Sequence, residues 1–528
     1  MPHHLTNALP IRRGRGYERL VREDGHVAHT RSLAALAGAV SAAGGLAAAE
    51  VVSGVLGLGG SPVLAIGERV IAVTPGRVAE AAISAVGTAD KPLLVTGTVL
   101  GALALGAVAG VLTLRSFTLG ALLLAAMGGL AAWAGLQSAD SGPADALPAG
   151  TAAVLAVGLL AWLHGVLTRP PSETVDASRR AFLVRAGLVG AGAVVLAAGG
   201  RLLGAGRRAV EEARRAVALP LRAVGPPAGV GVGVKGVARW QTPNDVFYRI
   251  DTALAIPEVT PADWRLRIHG LVEREIEIGY DELVGRGLVE AWITLCCVSN
   301  EVGGPLISNA HWSGVPIADL LAEAGVDPAA DAVLQTSADG WTCGTPLPAL
   351  TDGRAAMLAV GMNGEPLPVE HGFPVRMVVP GLFGFVSATK WLVDLEVTRF
   401  ADFRAYWTER GWSAEGPVKT QSRIDAPRRG DRVKAGQVAV GGIAWAQHTG
   451  IDRVEIRVDD GEWMPARLAS VPNVDTWRQW AVAWDAEPGD HTIACRATDS
   501  DGYTQTGKRA DVVPDGATGW HTIDVTVE

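Results

Sequence analysis

The sequence predicts a multidomain protein in which an α-helical membrane domain is followed by a mixed α+β domain and then by an all-β domain. Hydrophobic residues make up 48% of the 528 residues and charged residues only 19%, a balance that is oily for a soluble protein. The chain is rich in Ala, Gly, Leu and Val up to about residue 205, and rich in Trp, Asp, Pro and Glu beyond Arg239. From about Pro417 short apolar runs recur at even spacing, which is typical of an all-β domain. The predicted regions are a basic N-terminus (1–31), a transmembrane helical domain (32–205), a linker (206–239), an α+β domain (240–416) and an all-β domain (417–528).

Five apolar segments in the first part of the chain are long enough to cross a bilayer as helices. They are residues 32–58, 92–114, 116–137, 148–167 and 181–204. A further stretch, residues 62–86, is interrupted by Glu68, Arg69, Arg77 and Glu80, and an amphipathic or re-entrant segment explains it better than a span does. The sequence thus predicts about five transmembrane helices in contact with a lipid bilayer.

The distribution of basic residues predicts how these helices are oriented. Arginines are concentrated in the N-terminal 31 residues, at Arg115 and in the loop with Arg169, Arg179 and Arg180, so we expect a cytoplasmic N-terminus. Five spans then place the chain after residue 205 outside the cytoplasm, in a multi-pass protein of the cell membrane. Residues 178–184, which include the two adjacent arginines, resemble a twin-arginine export signal; a basic flank of the fifth span explains them equally well.

Cysteine, histidine and net charge indicate which sites and partners are not expected. The four cysteines form no CxxC or CxxCH pattern and so indicate neither a zinc ribbon, nor a c-type haem, nor a disulfide framework. A b-type haem needs paired histidines on facing helices, and His164 is the only histidine in a predicted span. We therefore expect no haem or iron–sulfur cluster. The net charge of −8 gives no reason to expect nucleic acid as a partner.

The region 240–416 mixes strand-like and helix-like patterns. Apolar or alternating runs predict strands at residues 247–256, 264–268, 291–295, 333–337 and 375–379. Helices are predicted to begin at Tyr280 and to cover Ile317–Ala324.

The region after residue 417 is predicted to be a β-sandwich of immunoglobulin type. Its strands are expected at residues 438–445, 453–458, 477–484, 491–497 and 521–527, and Asp459-Asp460-Gly461 is a hairpin signal. Cys495 lies on a predicted inner strand, and this region contains no second cysteine with which it could pair. We expect it to be a buried hydrophobic residue.

The adjacent pair Cys296-Cys297 is the main candidate for chemistry. The apolar run 291–295 ends at this pair, and a small polar turn then leads to Gly303-Gly304. A thiolate at the end of a strand, beside a glycine-containing loop, offers a soft ligand to a metal. Such a pair is more often part of a buried core, and its surroundings must decide between the two.

Four stretches together resemble the sulfite oxidase family of molybdopterin enzymes over the region 240–528. The first is Thr-Leu-Cys-Cys-Val-Ser-Asn at residues 294–300, in which the position of the family's molybdenum ligand falls on Cys297. The second is Met-Asn-Gly-Glu-Pro-Leu-Pro at 362–368, followed by Glu-His-Gly-Phe-Pro-Val-Arg at 370–376. The third runs from Val-Pro-Gly at 379–381 to Lys-Trp-Leu at 390–392, and the fourth is the C-terminal sandwich with Trp445 and residues 514–519.

The resemblance implies a molybdopterin cofactor bound by an α+β domain of the sulfite oxidase type. Cys297 would be the catalytic residue and the thiolate ligand of molybdenum, with Cys296 as a packing residue and Cys343 buried and inert. The implied cofactor-binding residues are Asn244, Tyr248, Arg249, Asp339, His371, Arg376, Ser387, Ala388, Thr389 and Lys390. For His371 and Arg376 the competing explanation is a surface strand edge with ordinary solvated charges. Arg suits phosphate because its guanidinium offers a bidentate fork.

Departures from the family pattern bear on the substrate. Glu301 stands where sulfite oxidases have Arg, residues 384–386 (Gly-Phe-Val) replace their Gly-Ala-Arg, and Trp341 is near the expected place of their active-site Tyr. A sulfite dianion needs fixed cations, whereas an apolar, Trp-lined pocket suits a neutral sulfoxide. The branch of the family related to protein methionine sulfoxide reductases shares the lack of those arginines.

The leading prediction is a membrane-anchored oxidoreductase that performs two-electron oxygen-atom transfer outside the cytoplasm on a sulfoxide-like or other small-molecule substrate. A separate electron-transfer partner is expected, and a homodimer through the sandwich is a further prediction. One alternative is a sulfite oxidase or dehydrogenase. A non-enzymatic alternative is a membrane-anchored binding module with a degenerate cofactor site.

Overall fold

The computed structural model describes residues 15–56, 61–74, 78, 89–137, 142–168, 175–202 and 205–528, with the side chains of 15–29, 175–179, 181 and 195–206 left out. The described chain forms two compact units. The first ends at Gly206, and the second runs from Arg207 to Glu528.

The first unit consists of helices, as the apolar segments predict. They are α1 (Arg15–Leu56), α2 (Pro62–Val73), α3 (Asp90–Leu112), α4 (Phe117–Gly135), α5 (Leu147–Leu167) and α6 (Val175–Leu202). Among the described residues, four helical stretches have the length and apolar composition to cross a membrane: Thr30–Leu56, Asp90–Leu112, Phe117–Gly135 and Pro143–Leu167. The fifth predicted span lies in α6, whose described apolar part is the shorter stretch Phe182–Val194, so the number five stays a prediction.

Small residues allow α1 and α3 to cross at close range. A Cβ added to Gly38 would collide with the carbonyl oxygen of Gly106, and one added to Gly110 would collide with that of Ala34. Because apolar burial gives little drive for association within lipid, backbone-to-backbone packing of this kind is a main source of stability for such helices. The predicted amphipathic segment 62–86 is a helix only over Pro62–Val73 in its described part, and residues 75–77 and 79–86 lie outside the described residues.

The first helix of the second unit is α7 (Ala205–Ala216), which belongs to this unit from Arg207 onward and packs against the rest of it. Val210 on this helix is 1% exposed, and Arg214 Nε donates to the carbonyl oxygen of Leu367 at 2.7 Å. Further along, Val230 and Val232 are buried. The region predicted as a linker (206–239) therefore packs against the second unit from residue 207 onward, because several of its apolar side chains are buried there.

Two sheets and three short helices build the part of the second unit that carries the candidate site. The helices are α8 (Tyr280–Gly285), α9 (Ile317–Ala324) and α10 (Pro348–Thr351). The strands are β1 (Arg265–Gly270), β2 (Ile276–Gly279), β3 (Val289–Cys296), β4 (Ile307–Pro316), β5 (Ala332–Ser337), β6 (Thr342–Pro346), β7 (Met357–Met362), β8 (Glu365–Pro366), β9 (Arg376–Val378) and β10 (Leu392–Thr398). One sheet has the order β2-β1-β10-β5-β6, and the other has the order β3-β4-β7-β8 with β9 paired to β7.

Most of the predicted elements of this region are confirmed, and one is wrong. The helix at Tyr280 and the strands near 264–268, 291–295, 333–337 and 375–379 are present, and α9 has the predicted bounds. Residues 247–256 form no strand. The reason is that Phe247 turns inward to pack against the ring of Trp312, while the N–H of Tyr248 donates to the side chain of Ser308 instead of to a neighbouring strand.

The C-terminal region is rich in β-structure, as predicted. Its strands are β11 (Gln421–Ala426), β12 (Arg432–Val433), β13 (Gly436–Trp445), β14 (Ile451–Val458), β15 (Met464–Pro465), β16 (Arg467–Leu468), β17 (Arg478–Ala486), β18 (Gly489–Asp499) and β19 (His521–Val527). They form sheets of order β11-β13-β17-β16 and β12-β19-β18-β14-β15, and both contribute to one buried cluster. The hairpin predicted at Asp459-Asp460-Gly461 joins β14 to β15. Cys495 is fully buried in this cluster and accepts a hydrogen bond from Ser422.

Candidate active site

An open pocket with about 880 Å³ of empty space lies in the second unit. Its walls come from five separate parts of the chain, which are residues 247–252, 297–299, 337–341, 371–391 and 407–412. Seven of the ten residues predicted to bind a cofactor line it, together with Cys297: Tyr248, Arg249, Asp339, His371, Arg376, Ala388 and Lys390. The fold thus gathers residues that are up to 165 positions apart in the sequence, from Phe247 to Trp412.

The two adjacent cysteines have different surroundings. Cys296 ends β3, is 1% exposed and belongs to the hydrophobic core, whereas Cys297 is 8% exposed and lines the pocket. Successive side chains leave an extended chain in opposite directions, so only one of the pair reaches the pocket wall. Burial raises the pKa of the Cys297 thiol, and hydrogen bonds from Ser299 partly offset this effect.

Arg376 is a buried cation with few partners. Its side chain donates through Nη1 to the carbonyl oxygen of His371 at 3.1 Å, and its guanidinium lies 5.0 Å from the ring centre of Trp312. Its Nε is buried without a hydrogen-bond acceptor, and within residues 205–528 no carboxylate forms an ion pair with it. Burial lowers the pKa of Arg376 to about 10. A buried guanidinium without a counter-ion favours binding of an anionic group in this pocket.

His371 lies beside Arg376 and is held in a defined orientation. Its Nε2 donates to the backbone carbonyl of Asn244 at 3.1 Å, and its ring packs edge-on against Phe247. Burial, reinforced by the charge of Arg376, lowers the pKa of His371 to about 4, so the imidazole is neutral near pH 7. Both His371 and Arg376 are about 5% exposed, and the explanation as solvated residues of a surface strand edge is therefore wrong.

Lys390 is paired to a carboxylate that sequence reasoning missed. Its Nζ lies 2.6 Å from Asp251 Oδ2, and Arg249 Nε lies 2.8 Å from the same oxygen. Lys390 Nζ also donates to the carbonyl oxygen of Glu370 at 3.2 Å. Burial lowers the pKa of Lys390 to about 8. The next residue, Trp391, has φ of 50°, a conformation rarely adopted by bulky side chains and typical of functional sites.

Tyr248 and Asp339 complete the polar lining. Tyr248 is half-buried, and burial raises the pKa of its phenol well above the usual value, so it stays protonated. Asp339 accepts the N–H of Trp341 at 3.1 Å. Asn244 does not line the pocket; it contributes its backbone carbonyl to His371 and its side chain to the turn at Asn363.

The predicted turn 387–389 contributes less than expected. Ser387 Oγ donates to the carbonyl oxygens of Leu382 and Phe383, and the N–H groups of Ser387 and Ala388 are both bonded to Gly384 O. Thr389 Oγ1 lies 3.2 Å from Cys343 Sγ, inside the core. Of the three residues only Ala388 lines the pocket. The amide groups of Ser387 and Ala388 already have acceptors within the turn, so they are not free for a ligand.

One side of the pocket is aromatic. Trp341 and Phe385 were noted in the sequence, but Trp407 and Trp412 were missed. The rings of Phe385 and Trp412 lie 5.9 Å apart, and those of Trp407 and Trp412 lie 6.2 Å apart and nearly perpendicular. The only signal for Trp407 and Trp412 was the local density of aromatic residues at 406–412, in a segment that carries no motif.

Glu301, which stands where sulfite oxidases have Arg, lies outside the pocket. Its side chain is exposed to solvent, and it is not among the residues that line the pocket. The cysteine loop turns this residue outward, so the departure at Glu301 puts no carboxylate into the pocket wall and carries no weight for the choice of substrate.

The residue types in the pocket fit a metal held on an organic anion better than a metal held by side chains alone. No group of three or more His, Cys, Asp or Glu residues in the described part of the chain is arranged to hold a metal ion. The pocket instead offers one thiol, one buried cation with an unsatisfied donor, and a neutral imidazole. A molybdenum bound to a pterin dithiolene needs a single protein thiolate and cationic groups for the pterin phosphate.

Comparisons with known proteins agree with this chemistry. Residues 253–407 match the family described as the oxidoreductase molybdopterin binding domain. The chain is 30% identical over 311 residues to the mitochondrial sulfite oxidase of Macaca fascicularis, covering 50% of this chain and 56% of that protein. It is 32% identical over 153 residues to the uncharacterized oxidoreductase YuiH of Bacillus subtilis, covering 29% of this chain and 74% of that protein. The chain thus spans little more than half the length of the sulfite oxidase.

A similar solved structure is the sulfane dehydrogenase SoxCD from Paracoccus pantotrophus. It matches with a TM-score of 0.49 and 25% identity, covering 55% of this chain and 84% of that chain.

Proposed function

Because the chain belongs to the sulfite oxidase family of molybdopterin-dependent oxidoreductases, we propose that its pocket binds molybdopterin with Cys297 as the thiolate ligand of molybdenum. The reaction is a two-electron oxygen-atom transfer, and the favoured substrate is a neutral sulfoxide or a similar small molecule. In the reductive direction the sulfoxide takes up two electrons and two protons and yields a thioether and water.

The observation that carries the proposal is that Cys297 and Arg376 line the same pocket. The first offers a thiol at the wall, and the second offers a buried positive charge that has no carboxylate partner in residues 205–528. Burying a charge without a counter-ion costs hydration free energy, and an anionic ligand in the pocket would offset this cost. The presence of both the thiol and the buried charge in one pocket also argues against a binding module with a degenerate cofactor site.

The residues around the thiol have separable roles. Arg376 would hold the anionic phosphate of the cofactor. The neutral imidazole of His371, whose Nε2 donates to Asn244 O, would accept an N–H of the pterin at Nδ1. Lys390 stays oriented by Asp251 and adds a second positive charge below about pH 8. Molybdenum, when bound, supplies the two-electron redox chemistry, and the protein orients it and excludes water.

The aromatic side of the pocket supports a neutral substrate. Phe385 and Trp412 are each 8% exposed and present apolar surface. Two of the nearby cations, Arg249 and Lys390, share the single carboxylate of Asp251, which reduces their attraction for a dianion. Sulfite oxidation is the second candidate, and the similarity to the mitochondrial sulfite oxidase favours it.

The apolar helices of the first unit support membrane anchoring. In this proposal five spans place the N-terminus in the cytoplasm and the pocket outside it, with residues 178–184 as a twin-arginine export signal. A separate partner exchanges electrons with the enzyme, and the C-terminal region is an immunoglobulin-like sandwich through which two copies associate. A reporter that is active only outside the cytoplasm, fused after Glu528, tests this orientation; activity only inside would overturn it.

The test of function uses the full chain purified in detergent. Molybdenum and pterin content are measured first, and we expect about one of each per chain. Reduction of methionine sulfoxide or dimethyl sulfoxide by a reduced viologen is then compared with oxidation of sulfite by ferricyanide. Turnover of sulfite alone would replace the favoured substrate class with the second candidate, and absence of molybdenum would overturn the proposal.

Cysteine variants provide the matched control. Cys297→Ser is expected to abolish turnover, because a hydroxyl group is a poor ligand where a thiolate is required. Cys296→Ser makes the same replacement of sulfur by oxygen at the neighbouring residue, which lies in the core. It should leave the molybdenum content and turnover near those of the wild type. Equal activity in the two variants would show that the ligand assignment is wrong.

A further inference from the structure

The loop that carries Cys297 is closed by its own hydrogen bonds. It connects β3 to β4 over residues 297–306. The N–H of Cys297 donates to Leu306 O at 2.9 Å, and the N–H of Leu306 donates to Asn300 Oδ1 at 2.8 Å. These bonds fix the shape of the loop. Its position relative to the pocket depends on what the loop packs against.

The far side of this loop is held by the C-terminal β-rich region. Arg423 on β11 donates through Nη1 to the carbonyl oxygen of Gly304 at 2.7 Å. The guanidinium is itself oriented by Asp425, with Nε at 2.7 Å from Oδ1, and both side chains are about nine-tenths buried. Asp425 Oδ2 in turn accepts the N–H of Ala238 at 3.0 Å. A charge-assisted bond between oriented partners holds the loop in one place.

His521, the first residue of β19, covers the neighbouring position of the loop. A Cβ added to Gly303 would collide with its imidazole ring, and Gly303 has φ of 81°, which favours glycine. The ring cannot rotate freely because its Nδ1 accepts the N–H of Ile424 at 3.0 Å. Burial, with the nearby charge of Arg423, lowers the pKa of His521 to about 4, so the ring is neutral near pH 7 and can act as this acceptor.

The strand that precedes Cys297 is tied to the same region. The N–H of Thr294 donates to the carbonyl oxygen of Asp475 at 2.9 Å, and Thr294 Oγ1 accepts the N–H of Trp477 at 2.8 Å. Gln447 donates to the carbonyl oxygen of Thr294 at 3.2 Å. The C-terminal region therefore contacts the chain three residues before the cysteine and again six and seven residues after it.

We propose that Arg423 and His521 are positioning residues that set where the Cys297 thiol lies in the pocket. The inference rests on the proposed role of Cys297 as a metal ligand, and it gives the C-terminal region a direct part in the site. Neither residue lines the pocket; both act through the loop. Loss of either contact lets the loop move away from the pocket wall.

The first test measures the accessibility of the thiol in cofactor-free full-length protein. Cys297 is 8% exposed and the other three cysteines are at most 1% exposed, so alkylation by iodoacetamide, followed by mass spectrometry, reports on Cys297. We expect Arg423→Met to speed its alkylation by roughly tenfold or more, as expected for loss of a charge-assisted bond. Arg423→Lys, which keeps the charge and a donor, should restore much of the slow rate.

Arg432→Met is the matched control. Arg432 pairs with Glu528 on the exposed end of the same region and is far more accessible, with 75% of its side chain exposed. The rate of Cys297 alkylation in Arg432→Met should equal that in the wild type. His521→Ala is the second variant, in case Arg423→Met does not fold, and it should also speed the alkylation of Cys297. Rates equal to the wild type in both folded variants would overturn the inference.

The second test uses protein loaded with molybdenum. Electron paramagnetic resonance of the one-electron-reduced metal reports on the metal–sulfur geometry. We expect Arg423→Met to retain at least part of its molybdenum and to show altered g-values. An unchanged spectrum and an unchanged alkylation rate would refute the positioning role alone. Wild-type turnover by Cys297→Ser, or absence of molybdenum from the wild-type protein, would instead refute the proposed function, so the two failures are distinguishable.

Discussion

Replacement of Arg376 by methionine tests whether this buried charge exists to bind the cofactor. The side chains have similar length, so Arg376→Met removes the positive charge and leaves little empty space. In the cofactor-free protein the pKa of Arg376 is lowered to about 10 by burial. Relative to an ordinary value of about 12.5, this corresponds to roughly 3 kcal/mol by which the fold disfavours the charged form.

Favourable contacts of Arg376 offset this cost. Its hydrogen bonds to the carbonyl oxygens of His371 and Ala388 contribute about 1 kcal/mol each. The contact of its guanidinium with the Trp312 ring adds about 1 kcal/mol. The free energy of unfolding of the cofactor-free protein should therefore change by only about 1 kcal/mol. Loss of the cation from a buried ion pair, by contrast, costs about 3–5 kcal/mol, so cofactor affinity should fall a hundredfold or more.

The assay combines molybdenum and pterin content with the thermal midpoint of the cofactor-free protein, both on the full chain in detergent. The control is Arg457→Met in the C-terminal region. Arg457 also has a buried Nε without an acceptor and also lies over a tryptophan ring, that of Trp463 at 5.1 Å, but it is not part of the pocket. Arg457→Met should therefore leave the molybdenum and pterin content unchanged. Normal cofactor content in Arg376→Met would refute the assignment of Arg376 as the anion-binding residue.

Three further predictions follow from the structure. Gly110→Val should destabilise the helical unit because the added side chain would collide with α1. Gly101→Val on the same helix is the control, because a side chain there meets open space. Equal thermal midpoints of the two variants in detergent would contradict this packing. The free energy of unfolding should fall as the pH drops from about 6.5 towards 4, because the unfolded chain protonates His371 before the folded chain does. The thermal midpoint of His371→Asn should depend less steeply on pH in this window, and an identical slope would argue against a buried neutral imidazole. Arg214→Ala should detach α7 from the carbonyl oxygens of residues 366 and 367 and lower the thermal midpoint by a few degrees, as expected for about 1–2 kcal/mol; an unchanged midpoint would show that α7 is held by its apolar face alone.

The sequence predicted much of the fold because the relevant signals are local. Apolar runs of spanning length become helices, and alternating apolar runs become strands such as β19, whose bounds were predicted correctly. The segment 247–256 failed because its hydrogen bonds go to distant side chains, among them that of Ser308, and no local pattern records this. The packing of the predicted linker (206–239) was not visible in the sequence for a related reason, since the apolar residues of α7 are few and need a partner surface to become buried.

What the sequence determined by itself is the chemical class of the site. The motif around residues 294–300 and those at 362–376 and 390–392 are continuous in the chain. They single out Cys297, His371, Arg376 and Lys390, which line one pocket in the structure, and their role in binding a cofactor stays a prediction.

Only the tertiary structure decided how those groups are paired and what surrounds them. Lys390 and its carboxylate partner Asp251 are 139 residues apart, and the aromatic side formed by Trp407 and Trp412 comes from a segment without a motif. Glu301, one of the departures from the family pattern, is exposed to solvent and does not line the pocket. The physical reason is that charge and polarity act through space, so the electrostatics of the pocket depend on distances that the order of residues does not record.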